Sequence, residues 1–109
     1  GRLTFTTEIA RAISHLLSSP APYGTYHLTN AGPVMTWADI ARRVFVARGR
    51  SATAIENVTS EQYAADKNLA LRPRHSVLEL NKIIATGFRP SDAVADLDRY
   101  LAELPRNAR

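Results

Sequence analysis

Apolar residues recur at helical spacing from Thr7, with Ile9, Ala12, Ile13, Leu16 and Leu17 on one arc, and Ser18-Ser19-Pro20-Ala21-Pro22 ends the pattern. The spacing predicts a one-faced helix. Thr25 to Thr29 is rich in β-formers and predicts a short strand, closed by the turn residues Asn30, Gly32 and Pro33. Thr36 then stands three residues before Asp39, a capping-box start in which Asp replaces the usual Glu or Gln. The helix it opens carries Trp37, Ile40, Ala41, Val44 and Phe45 on one side, and Gly49 stops it.

Ala54 to Val58 predicts a second short strand, and Thr59-Ser60-Glu61-Gln62 the cap of a brief helical turn. Ala64 to Arg74 has weak periodicity and contains Pro73, which predicts a loop. A short helix begins near Asn81, buries Ile83 and Ile84 and closes at Gly87. After Pro90, Ser91 is positioned to cap a last helix with Val94, Leu97, Leu101 and Leu104 on its buried side. The pattern is therefore an α/β fragment, mostly helical with about two short strands. Two strands are too few for an independent sheet, so they are expected to extend, or lie beside, a neighbour's sheet.

The 109 residues fit one domain spanning 1–109, with composition typical of a soluble globular domain. There is no cysteine, which excludes disulfides and thiolate chemistry and suits a reducing, cytoplasmic setting. No apolar run approaches the length of a membrane span, and the first residues lack a signal-peptide core, so no membrane association is expected. A net charge of +4 invites a nucleic-acid reading. Its distribution opposes that reading: Arg42, Arg43, Arg48 and Arg50 cluster around one helix end, Arg48 and Arg50 where the macrodipole favours cations, and no aromatic and basic stacking platform accompanies them. No nucleic-acid partner is expected.

Candidate chemistry is sparse. Tyr63 and Lys67 have Tyr-x-x-x-Lys spacing, which on a helix places phenol and ammonium on one face, but they lie outside any strong helix. None of the five glycines forms a GxGxxG loop, so no dinucleotide site is visible. His15, His27 and His75 are too scattered for a metal site, and no nucleophile triad is fixed. No catalytic, cofactor-binding or metal-ligating residue is assigned. The best polar candidate is Leu71-Arg72-Pro73-Arg74-His75-Ser76, where two guanidiniums and a hydroxyl on a proline-stiffened loop could hold a diphosphate or carboxylate. Its plainer alternative is a solvated loop whose arginines pair with surface acids.

The order GRLTFTTEIARAISHLL, YGTYHLTNAGPVMTWADIARRVF, TSEQY, LRPRHSVLELNKI and a final amphipathic helix resembles the C-terminal, substrate-binding part of the dTDP-4-dehydrorhamnose reductase family. These are extended short-chain dehydrogenases of sugar-nucleotide metabolism. The most specific elements are Gly1 with Thr4, the stretch Gly24 to Gly32 leading to Thr36-Trp37, and Arg72-Pro73-x-x-Ser76-x-Leu78 followed by Lys82. Leu3 departs from the family's usual proline, and Phe88 to Asp92 lacks a tryptophan often found there.

The resemblance implies a dTDP-sugar substrate in dTDP-rhamnose biosynthesis and NADPH or NADH in the full-length enzyme, with no cofactor held by this chain. It implies that the nucleotide loop and the catalytic Tyr and Lys belong to an N-terminal Rossmann domain absent here. A fused epimerase domain is a further expected partner. By this reading the chain is inert alone, Arg72, Arg74 and Ser76 face the substrate cleft, and Thr4 and Thr6 lie near the domain junction. Two alternatives remain open: a free-standing binding or regulatory module, and the substrate domain of another NAD-dependent sugar-nucleotide epimerase or reductase.

Overall fold

The computed structural model describes residues 1–65, 67–70 and 72–105. The chain divides into two compact units, one formed by Gly1–Val34 with Val77–Arg109 and the other by Met35–Ser76. The first contains α1 (Thr6–Ser18), α4 (Asn81–Ile84) and α5 (Ala93–Glu103); the second contains α2 (Trp37–Ala47), a 3-10 turn (Ala52–Ala54) and α3 (Ser60–Ala64). The mostly helical expectation agrees with this element set.

In the first unit, Ala12, Leu80, Ile83 and Phe88 form a buried cluster, with Leu16, Tyr26, Leu28, Ala31 and Ile84 packed around it. The buried side of α1 is turned relative to the expected arc. Ala12 faces inward together with Glu8, whereas Ile9, Ile13 and Leu17 are 40%, 53% and 83% exposed. The apolar arc of α1 is wider than the surface it meets, and Glu8 is drawn inside by fixed donors. Arg11 grips its carboxylate through Nε at 2.8 Å and Nη2 at 3.0 Å, and the Ser91 N–H donates to it as well. Burial is the largest single influence on Glu8 and opposes its charge, but the Arg11 and Ser91 hydrogen bonds with the Arg11 charge outweigh it together, holding the carboxyl below its ordinary pKa.

A second polar link crosses the same unit. Asn30 is fully buried; its Oδ1 accepts the Phe5 N–H at 2.9 Å and its Nδ2 donates to Asp96 Oδ2 at 2.8 Å. Asp96 Oδ1 in turn accepts from Arg99 Nη2 at 2.6 Å. One amide thus ties the entry to α1, the turn after Thr29 and the inner face of α5. Both of its functional atoms are satisfied, as burial requires.

The two expected strands do not form among the described residues. Thr25 to Thr29 forms no ladder; just beyond it the Asn30 N–H donates to Leu3 O at 3.2 Å and an isolated parallel bridge joins Ala31 and Asp92. The bridge is carried by Ala31 N–H to Ser91 O and Ala93 N–H to Ala31 O, both 2.8 Å. Instead, side chains hold the stretch: Lys82 Nζ donates to Thr25 O at 2.7 Å and lies 4.9 Å from the Tyr26 ring centroid. The second expected strand, Ala54 to Val58, begins inside the 3-10 turn, where Ser51 Oγ accepts the Thr53 N–H. A β-former run without a backbone partner has nothing to stabilise a ladder.

Asp92, not Ser91, caps α5, because its Oδ1 accepts from the Val94 and Ala95 N–H groups. Gly32 packs against that cap: its φ is +100°, and a Cβ there would lie 3.0 Å from the Asp92 carboxylate. Backbone conformation and space both demand glycine. Leu97 and Leu101 of α5 are buried as the periodicity predicts.

In the second unit α2 starts as expected, with Asp39 N–H donating to Thr36 Oγ1 at 3.1 Å and Thr36 N–H to Asp39 Oδ2 at 2.9 Å. It ends in a Schellman arrangement at Gly49, with Arg50 N–H bonded to Phe45 O and Gly49 N–H to Val46 O. The reciprocal Thr59 and Gln62 bonds open α3 in the same manner as α2. None of the described residues of this unit is buried, and Trp37, expected on the inner side of α2, is 80% exposed. It occupies the first helical position, ahead of the Ile40, Ala41, Val44 and Phe45 stripe, which is half-buried.

Candidate functional site

Arg72, Arg74 and Ser76 lie in the second unit, in the segment that follows α3, and all three are exposed. Pro73 fixes one backbone angle between the two arginines. Arg74 Nη2 donates to Glu61 Oε1 of α3, an ion pair whose side chains are 73% and 64% exposed. Glu61 is held below its ordinary pKa, first by a bond to its own backbone N–H and then by Arg74. No bond to a described residue engages the Arg72 or Ser76 side chain, which leaves their donors facing solvent. The loop thus offers one guanidinium already paired with an acid and one without such a pair among the described residues. An anion arriving here would share or displace Glu61 at Arg74. Leu71, at the start of the expected cluster, lies outside the described residues.

Thr4 and Thr6 belong to the first unit and are exposed on either side of Phe5, the N-cap position of α1. Lys82, grouped by sequence with the arginine loop, also belongs to the first unit, where its ammonium is engaged by Thr25 O and the Tyr26 ring.

The Tyr63 and Lys67 spacing does not produce a catalytic pair. α3 ends at Ala64, so Lys67 is not on the same helix; its Nζ bonds the Tyr63 backbone carbonyl at 3.0 Å and sits 4.1 Å over the ring centroid. The ammonium meets the face of the ring, which holds it by a cation-π contact. Asp66 between them lies outside the described residues. Among the described residues no cluster of three or more His, Asp or Glu side chains is arranged to hold a metal.

Gly24, Gly32, Gly49 and Gly87 stand far apart in sequence, and none of them opens a helix as a phosphate-cradling loop would. Sequence reasoning missed two features of the first unit: the inward Glu8 and the fully buried Asn30. Each had a weak signal, Glu8 in its i, i+3 spacing to Arg11 and Asn30 in its place between a β-former run and Gly32.

Among the described residues no helix is long and apolar enough to cross a membrane. No solved structure matches the chain. A dTDP-4-dehydrorhamnose reductase of Streptomyces griseus is 34% identical over 94 residues, covering 83% of this chain and 30% of the relative. The chain therefore spans about a third of the length of the curated relative it matches. Residues 1–106 match the RmlD substrate binding domain family, and the chain belongs to that family.

Proposed function

We propose that this chain is the substrate-binding part of an NAD(P)H-dependent dTDP-4-dehydrorhamnose reductase, that it contacts a dTDP-sugar, and that it is catalytically inert alone. The observation that carries the reading is the match to a substrate binding domain over residues 1–106. In the whole enzyme the dinucleotide supplies hydride to the C4 carbonyl of the sugar. This chain's contribution is binding: Arg72 and Arg74 neutralise the diphosphate, and the Ser76 hydroxyl adds a directed hydrogen bond. Thr4 and Thr6 lie beside the junction with the N-terminal dinucleotide-binding domain. The exposed ridge Ile9, Ile13 and Leu17 supports that arrangement, because three large apolar side chains one helical turn apart suit contact with another protein layer.

The experiment is to express the chain joined to its dinucleotide-binding domain and compare wild type with Arg72→Gln and Arg74→Gln. A rise of roughly tenfold in KM for dTDP-4-dehydrorhamnose, with KM for NADPH unchanged, is the expected result, since each arginine forms a charge-assisted contact to phosphate oxygens. Unchanged KM for the sugar nucleotide in both variants would remove the loop from the site.

A further inference from the structure

One stripe of α1 carries Arg11, Ser14, His15 and Ser18, spaced i, i+3, i+4 and i+7 and therefore projecting from one side of the helix. They meet Gly87, Phe88 and Arg89, the segment following α4, and the two together line an open cleft of about 390 Å3. That volume lies within the range of small-molecule sites. Among the described residues no carboxylate lines it; two guanidiniums, an imidazole and two hydroxyls do.

Two of these groups are held rigidly. The Arg11 guanidinium is fixed by Glu8, by the Arg89 carbonyl at 2.6 Å and by the Phe88 ring, whose centroid lies 4.3 Å away. Glu8 is buried beneath it and receives the Ser91 N–H, so its charge is already compensated. The His15 Nε2 lies 3.1 Å from Thr86 O and 3.0 Å from Thr86 Oγ1. A carbonyl only accepts, and the Thr86 hydroxyl proton goes to Ile83 O at 2.6 Å, so Nε2 carries the imidazole proton. Arg89 differs from both. It is exposed, and its side chain's only bonds to described residues are two long ones, 3.4 Å each, from Nη1 to the carbonyls of Ile84 and Phe88. Most of its donor fork is uncommitted.

We propose that this cleft binds the phosphoryl group of a small molecule, with Arg89 as the clamp that closes on it and the Ser14 hydroxyl and the Arg11 Nη1 group as the preformed side, the Ser18 hydroxyl being engaged by the Ser14 carbonyl at 2.8 Å. A tetrahedral oxyanion presents several terminal oxygens at once, which suits donors arriving from two walls better than one planar carboxylate does. Gly87 belongs to the design, because its φ of +95° favours glycine and keeps the wall facing His15 low. The site lies wholly in the first unit and shares no residue with the arginine loop of the second.

The test is a titration of the 109-residue chain with inorganic phosphate and, separately, with methyl phosphate at constant ionic strength, followed by amide and Arg Nε NMR signals. Saturable shifts at Gly87 and Arg89 are expected, weakened about tenfold in Arg89→Gln, the loss expected for one charge-assisted contact, and unaffected by Arg72→Gln. Tighter binding of methyl phosphate would identify a phosphate ester as the ligand, and equal binding free phosphate. Shifts that stay linear in concentration, centre on Arg72 and Arg74, or persist unchanged in Arg89→Gln would overturn the proposal. Arg89 is exposed, so its substitution leaves the core intact, and Ser14→Ala supplies a second variant on the opposite wall.

Discussion

The two units of this chain are stabilised in different ways. The first has a buried apolar cluster around Ile83 and two buried polar links, Glu8 with Arg11 and Ser91, and Asn30 with Phe5 and Asp96. The second has no buried described residue; capping boxes at Thr36 and Thr59, a Schellman turn at Gly49 and exposed pairs such as Arg74 with Glu61 hold its local structure. The loop proposed to meet substrate lies in the unit without a core. Binding residues on a weakly anchored segment can adjust to a ligand, whereas a scaffold must not.

Truncation inside the core gives the largest contrast. Ile83→Ala removes a side chain that is 1% exposed and is expected to cost about 3 kcal/mol. Val44→Ala, on the half-buried stripe of α2, should cost about 1 kcal/mol. Denaturant titrations of both variants measure the difference. Equal losses would remove the distinction between the units.

Next comes Glu8→Gln, which leaves Arg11 facing a neutral amide and is expected to cost about 2 kcal/mol, below the value for a fully buried pair because Arg11 is about half exposed. The same group predicts a pH dependence. Its pKa in the folded chain lies below its ordinary value of 4.5, so its contribution is fully present above about pH 5 and is lost as pH falls through 4.5 toward the folded pKa. Wild type should lose stability over that acid range, and Glu8→Gln should lose less. A parallel decline in both would show that other carboxylates carry the effect.

A smaller effect, about 1 kcal/mol, is expected for Thr36→Ala, which removes one half of the capping box. Faster hydrogen exchange should be confined to the first turn of α2, with protection around Ile83 unchanged. Acceleration across α1 and α5 as well would mean that the two units unfold together. Glu61→Gln is the mildest change for stability, since it releases an exposed ion pair, yet it frees Arg74. Tighter binding of dTDP to the loop is expected, and weaker binding would mean that Glu61 positions Arg74.

What could be read in the sequence was what is local. Thr36 with Asp39, Thr59 with Gln62 and Gly49 each act within a few residues, so their patterns sufficed. The strands failed for the opposite reason: β-formers at Thr25 to Thr29 specify a ladder only when another segment supplies it, and that information is not in the run itself. The cap of α5 moved one residue, from Ser91 to Asp92, because Ser91 is engaged through its backbone by Glu8 and Ala31. Glu8 and Asn30 left only weak signals as interior groups, since their burial depends on partners from distant segments, the Ser91 N–H for Glu8 and Phe5 and Asp96 for Asn30. For the candidate site, the arginine loop was legible as a motif, while the pairing of Arg74 with Glu61 required the fold of α3.

The most direct test of the proposed division of labour is an assay of the purified 109-residue chain with NADPH and dTDP-4-dehydrorhamnose, following oxidation of the nicotinamide. A substrate-binding part whose chemistry resides in another domain predicts no turnover above the uncatalysed background, and turnover restored when the dinucleotide-binding domain is joined to it. Sustained NADPH oxidation by the chain alone would contradict the account.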